Sequence, residues 1–89
     1  MSDKTVECWL VERELGDRDF VTLVYATPDG SRYQQRHRSS TALRTGSEVT
    51  AAVDVPEAEL ERVPDAETRD RYAAEVERTA DRYDPDDPI

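Results

Sequence analysis

The segment FVTLVYAT, at positions 20–27, constrains the fold more than any other part of this sequence. It is rich in β-branched and aromatic residues, which favour strands. The next residues are PDG, in which proline presets a turn and glycine can supply a positive φ. The chain is therefore predicted to reverse direction at residues 28–30 and to return as a second strand of a hairpin.

Three further segments are predicted to be strands. TVECWLVEREL, residues 5–15, alternates apolar and polar side chains, and residues 31–39 would form the returning strand of the hairpin. In EVTAAVDV, residues 48–55, apolar side chains recur at every second position. The connections are predicted to be a turn at GDRD, residues 16–19, and a loop or short helical turn within SSTALRTGS, residues 39–47.

The last third of the chain changes to a helical pattern. PEAELERV, residues 56–63, has proline at its start and glutamates in its first turn, which predicts a short helix. Residues 65–83 predict a longer amphipathic helix with Asp65 as its N-cap, and residues 84–89 predict a disordered acidic tail. We expect one α+β domain over residues 1–83: a four-stranded antiparallel meander, then the short helix, then the longer C-terminal helix. The apolar stripe of the longer helix consists of Tyr72, Ala73, Val76, Ala80 and Tyr83.

Both faces of the first two predicted strands carry apolar side chains. A half-exposed antiparallel strand is apolar on one face only. One slender helix covers one face, so the short helix or another subunit must cover the other. We therefore expect self-association through the sheet, as a homodimer. The side chains expected at this contact are Trp9, Val11, Val21, Leu23 and Tyr25.

The charge balance is strongly acidic. The chain has 21 acidic against 12 basic residues, a formal net charge of −9, and Lys4 as its only lysine. Carboxylate-rich surfaces keep a protein dissolved in concentrated salt, at the cost of self-repulsion in dilute buffer. In composition and general layout the whole chain resembles the small acidic proteins of unknown function from extremely halophilic archaea. That resemblance includes no diagnostic motif and implies no functional residues.

The amino-terminal segment MSDKTVECWLV has no basic region followed by a long apolar run. It therefore predicts neither a signal peptide nor a membrane span. We expect a cytoplasmic protein that does not bind a membrane.

Few residues suggest catalysis or metal binding. Cys8 is the only cysteine, so the chain has no cysteine pair for an internal disulfide, and in a strand its thiol is expected to lie in the core. His37 is the only histidine, and no carboxylate group has the spacing of a calcium loop. We expect no catalytic residue, no cofactor and no metal. A small enzyme is the weakest of the alternative functions.

Residues 31–46 form the basic stretch of the chain, with four arginines and no acidic residue. Side chains alternate along a strand, so the arginines would share one face and the tyrosine and histidine the other. This surface could bind a nucleic acid or another anion. About four phosphate contacts would lose roughly 10³–10⁴ in affinity between 0.1 M and 1 M salt, which disfavours that function in a halophile. The candidate residues are Arg32, Tyr33, Arg36, His37 and Arg38.

The simpler interpretation is that these arginines pair with carboxylates of the fold or of a second subunit. The sequence therefore favours a non-enzymatic interaction module that forms a homodimer or binds another protein. A nucleic-acid-binding accessory protein is the main alternative.

Overall fold

The computed structural model describes residues 4–15, 20–39 and 49–89, which form an antiparallel sheet with one long helix across one face. This confirms the α+β class and the C-terminal helix. The turn expected at 16–19 and the loop expected after residue 39 lie outside the described residues. The strand order is β4-β1-β2-β3-β5. The elements are β1 Thr5–Leu15, β2 Phe20–Ala26, β3 Arg32–Ser39, β4 Ala52–Pro56, β5 Glu61–Arg62 and α1 Ala66–Arg82.

The sheet differs from the expected meander because β4 lies beside β1 and not beside β3. The pairing of β4 with β1 runs from Thr5 opposite Pro56 to Trp9 opposite Ala52. β1 is apolar on both faces around Cys8, and a central position buries both of those faces. The polar strand β3 is left close to the edge.

The short helix expected over residues 56–63 is also absent. β4 is followed by one 3₁₀ turn at Glu57–Glu59, and β5 then pairs with the start of β3. Residues three apart on a helix lie on the same side. Here Leu60 and Val63 pack into hydrophobic clusters on opposite faces of the sheet. Tertiary packing has therefore overridden the local helical preference.

Each face of the sheet has its own hydrophobic core. On the face covered by α1, called the helix face, the buried residues are Trp9, Val24, Ala26, Ala51, Ala52, Val63, Tyr72 and Val76. On the opposite face they are Cys8, Leu10, Val21, Leu23, Tyr25 and Val55. Val49, Leu60 and Ile89 pack against this second core.

Gly30 lies where the β2–β3 turn meets α1. Its φ is +73°, as the PDG signal predicted. A Cβ atom at this position would lie 2.2 Å from the carbonyl oxygen of Arg69 and 2.7 Å from the amide nitrogen of Ala73. Only glycine allows this contact between turn and helix, because both the backbone angle and the space exclude a side chain.

The same turn is held by the carboxylate of Asp29. One oxygen, Oδ1, accepts hydrogen bonds from the hydroxyl of Thr27 at 2.7 Å, and from the backbone N–H and hydroxyl of Ser31 at 3.0 and 2.7 Å. These bonds favour the charged form and lower the pKa of Asp29 to about 2.

Helix α1 begins at the predicted cap. The carboxylate of Asp65 accepts from the backbone N–H of Thr68 at 2.8 Å. Tyr72 and Val76 are buried as expected, whereas Ala80 and Tyr83 are exposed. No helix among the described residues is long and apolar enough to cross a membrane.

A β-bulge between Leu10 and Glu12 interrupts the pairing of β1 with β2. The carbonyl oxygen of Leu10 accepts a hydrogen bond from the hydroxyl of Thr79 at 3.1 Å. The helix is therefore tied to β1 at the bulge.

The residues expected to form a disordered tail instead pair with the chain before β4. The backbone N–H of Ala51 donates to Asp87, and that of Ile89 donates to Val49, at 2.8 and 2.7 Å. Ile89 packs against both cores. The apolar side chain of Ile89 and these backbone hydrogen bonds explain why the segment folds onto the domain.

Candidate functional site

The charged side chains of the five strands are divided by sign between the two faces of the sheet. The register pairs place every strand carboxylate on the helix face and every strand arginine on the other, here called the arginine face. The carboxylates are those of Glu7, Glu12, Glu14, Asp54 and Glu61. The arginines are Arg13, Arg32, Arg36, Arg38 and Arg62.

Three of these arginines surround the core of the arginine face. Arg13 and Arg36 lie on either side of Leu23, in one row across β1, β2 and β3. The guanidinium of Arg36 lies over the ring of Tyr25, 5.4 Å from its centroid, in a cation–π contact. Burial raises the pKa of the Tyr25 phenol, and the positive charges of Arg36, Arg13 and Arg38 act in the opposite direction. Arg36 therefore lies above a buried ring, and Arg13 and Arg38 lie on the same face of the sheet.

Few of the arginines on this face are neutralised within the described part of the chain. Arg32 lies 3.9 Å from a carboxylate oxygen of Glu57, and both side chains are about half exposed, so this pair contributes little.

Arg36 and Arg38 bond to uncharged groups. Arg36 donates to the side-chain oxygen of Gln34 at 2.7 Å, and Arg38 donates to the carbonyl oxygen of His37 at 2.9 Å. Arg13 donates to the main-chain oxygen of Ile89. Within the described ranges, Arg36 and Arg38 have no carboxylate partner.

The residues suggested for nucleic-acid binding do not share one surface. Arg32, Arg36 and Arg38 lie on the arginine face, whereas Tyr33 and His37 lie on the helix face, as alternation predicts. The ring of Tyr33 packs edge-on against that of Tyr72, with centroids 6.3 Å apart. A nucleotide could therefore not stack its base on Tyr33 while its phosphate contacts these arginines.

His37 makes a local contact on the helix face. Its Nδ1 lies 3.2 Å from the hydroxyl oxygen of Thr22, its cross-strand neighbour. A hydroxyl beside an imidazole is the arrangement found in a nucleophile–base pair. His37 is exposed, however, and it lines neither of the two cavities described below. Such a pair would also need a pocket and donors for the developing charge.

The residues suggested for self-association also divide between the two faces. Trp9 and Val11 pack in the helix-face core, and Val21, Leu23 and Tyr25 pack in the core of the arginine face. All except the half-buried Val11 are buried within the single chain. Self-association would therefore need another surface.

Cys8 and the carboxylates form no reactive or metal-binding centre in the described ranges. Cys8 is fully buried, and burial raises the pKa of its thiol to about 11, with Arg32 and Arg36 opposing the shift. A protonated, enclosed thiol is a poor nucleophile. No three histidine, cysteine, aspartate or glutamate side chains gather as a metal would require in residues 4–15, 20–39 and 49–89.

An apolar groove of about 600 Å³ runs along one flank of α1 on the helix face. Its lining is Trp9, Pro28, Ala73, Ala74, Val76 and Ala80, with the carboxylates of Asp70 and Glu77 at its rim. A smaller recess of about 360 Å³ beside β5 is lined by Gln34, Gln35, Glu59 and Glu61.

A family model matches this chain over residues 2–89. The chain belongs to DUF7967, a family of unknown function. No curated protein and no solved structure matches it. The geometry of this DUF7967 protein therefore carries the functional argument.

Sequence reasoning missed two parts of this DUF7967 site, Arg13 and the groove. On a regular strand Arg13 would share a face with Trp9, but the bulge moves it to the face of Leu23. The groove was missed because Trp9 was expected at the self-association contact and Ala73 in the apolar stripe of the helix, whereas both residues line the groove. The helical spacing of Asp70, Ala74 and Glu77 places these residues along one flank of the helix, and this spacing could have indicated the groove.

Proposed function

We propose that this protein is a non-enzymatic interaction module that binds carboxylate-rich protein surfaces through the arginine face. The observation that carries the proposal is the division of charge across the sheet, with all five strand arginines on one face of a chain of net charge −9. Guanidinium groups stay charged and form paired hydrogen bonds with carboxylates. Such a surface suits binding better than proton transfer.

Two cross-strand pairs of like charge support this proposal. Arg32 lies opposite Arg62, and Glu7 lies opposite Asp54. Like charges directly opposite each other destabilise a sheet. Carboxylates of a partner would relieve the repulsion between Arg32 and Arg62 on the arginine face. The Glu7–Asp54 pair lies on the helix face, where concentrated salt would screen its repulsion, and we therefore extend the proposal to a salt-rich cytoplasm.

The experiment for the arginine face uses polyglutamate as the acidic probe. We expect R36Q/R38Q to weaken binding of fluorescently labelled polyglutamate at least tenfold at 0.2 M KCl, measured by anisotropy. The matched control is R78Q/R82Q, which removes two exposed arginines from α1 and should change the affinity less than twofold. Equal losses in the two variants would show that binding follows net charge alone and would overturn the proposal.

A nucleic-acid probe separates the main alternative. Single-stranded RNA of similar length should bind more weakly than polyglutamate, because Tyr25 is buried under Arg36 and offers no face for a base. Tighter RNA binding that disappears in R36Q/R38Q would replace our proposal with nucleic-acid binding.

The salt-rich environment has its own test. At about 1 M ionic strength the Debye length falls to about 3 Å, which screens repulsion among the 21 acidic residues. We expect the melting temperature to rise clearly between 0.1 M and 2 M KCl. A constant melting temperature would remove the halophilic part of the proposal and leave the arginine face unaffected.

A further inference from the structure

The groove on the helix face has the chemistry of a receptor for arginine. Trp9, which is 8% exposed, contributes part of its lining, and Asp70 and Glu77 contribute carboxylates at the rim. A guanidinium is attracted to the face of an aromatic ring and bonds to carboxylates in a planar fork. Ala73 and Ala74 keep the flank of α1 low, so another chain can approach closely.

We infer that this groove receives the arginine face of a second copy of the same chain. This inference rests on the proposed function and names the partner. Charge complementarity supports it, because the sheet is acidic on the side of the groove and basic on the other. The groove continues that acidic side, and the arginine face supplies guanidinium groups that have no carboxylate partner within the described ranges.

The spacing of the charges agrees with this contact. Arg13 and Arg36 are separated by two strand spacings, about 10 Å. Asp70 and Glu77 are seven residues apart on α1, also about 10 Å along the helix axis. The two surfaces therefore present opposite charges at a similar spacing, and Arg13 would exchange its contact with the main-chain oxygen of Ile89 for a carboxylate of the next copy.

The two surfaces lie on opposite faces of one sheet, which determines the form of the assembly. A two-fold dimer buries the same surface of both subunits. Here the arginine face of one copy meets the helix face of the next, which leaves one surface free at each end. The expected assembly grows head to tail with concentration and does not stop at a dimer.

The test is complementation between two charge-reversed variants at 0.2 M KCl. R36E/R38E loses the arginine face and keeps the groove, whereas D70R/E77R loses the groove and keeps the arginine face. Each variant alone should be monomeric by sedimentation, with its self-association constant weakened at least tenfold relative to wild type. Their mixture should form a heterodimer and nothing larger, because one functional surface remains on each partner.

Trp9 reports on the groove, because it is the only tryptophan and lines that cavity. Its emission should shift when R36E/R38E is titrated with D70R/E77R. The control titrates R36E/R38E with the quadruple variant R36E/R38E/D70R/E77R, which lacks both surfaces. The emission of Trp9 should not shift in that experiment. The neutral pair R36Q/R38Q and D70N/E77Q repeats the experiment if charge reversal prevents folding, which circular dichroism detects.

A wild type that stays monomeric to millimolar concentration would overturn the inference, as would a mixture of variants that does not associate. Polyglutamate distinguishes that failure from failure of the proposed function. A monomeric wild type that still binds polyglutamate through Arg36 and Arg38 would keep the function and exclude the second copy. A wild type that neither self-associates nor binds polyglutamate would reject both proposals.

Discussion

The two faces of the sheet are both packed, but they are closed in different ways. The helix face is covered by α1, whose Tyr72 and Val76 pack onto Trp9 and Val24. The arginine face is covered in part by Arg36, which lies over the buried ring of Tyr25. A long basic side chain can shield apolar surface with its stem while its charge stays at the surface. One face is therefore covered by a helix, while the other is covered in part by a charged side chain that stays at the surface.

The largest expected effect concerns the helix face, where the β2–β3 turn touches α1. Gly30→Ala should destabilise the protein by about 3–5 kcal/mol, since it adds left-handed strain and a clash with the helix backbone. Gly30→Asn separates the two causes, because asparagine tolerates a positive φ but still carries a Cβ. Urea unfolding should still show a large loss for Gly30→Asn, smaller than that of Gly30→Ala by no more than the backbone strain of about 1–2 kcal/mol. Recovery of stability in the asparagine variant would show that turn and helix are not in close contact.

The second effect tests whether the arginine face covers a true core. Leu23 is 3% exposed there, and Leu23→Ala should cost about 2–4 kcal/mol in urea unfolding. The control, Thr22→Ala, changes the half-buried neighbour on the opposite face and should cost about 1 kcal/mol or less. A loss below about 1 kcal/mol for Leu23→Ala, similar to that of the control, would mean that this face is not packed like the helix face.

The smallest effect concerns the carboxylate that holds the turn. Because the folded-state pKa of Asp29 is about 2 against an ordinary 3.8, its contribution is present above pH 4–5 and is lost as the pH falls toward 2. Asp29→Asn should lower stability by about 1 kcal/mol at pH 6, a value reduced for solvent exposure. The difference from wild type should narrow at pH 3.

Ser31→Ala serves as the control for that experiment. It removes one hydroxyl donor and leaves the backbone N–H that also bonds to Asp29. Its loss should be smaller than that of Asp29→Asn. A wild-type advantage that stays constant from pH 6 to pH 3 would contradict the assigned role of the carboxylate.

Local patterns predicted the parts of this fold that depend on local chemistry. The PDG turn, the cap at Asp65 and the burial of Tyr72 and Val76 follow from backbone angles, side-chain capping and helical spacing. The alternation of β3 also predicted which arginines share a face. Each of these features involves residues within a few positions of one another.

The long-range arrangement could not be predicted in the same way. The segment at 56–63 has the residues of a helix start, yet Leu60 and Val63 are drawn to opposite cores. The tail at 84–89 looks like a solvated acidic segment, yet Ile89 packs against both hydrophobic cores and its backbone pairs with Val49. In both cases distant contacts outweigh a weak local preference.

The sequence by itself determined the sign of the charges and the set of apolar segments available for burial. The tertiary structure alone decided how the charges divide between the faces. One bulge after Leu10 shifts the register of β1, which places Arg13 beside Leu23 and turns Glu12 and Glu14 toward the helix face. An alternating pattern cannot reveal this, because a single extra residue in a strand exchanges the faces of all residues after it.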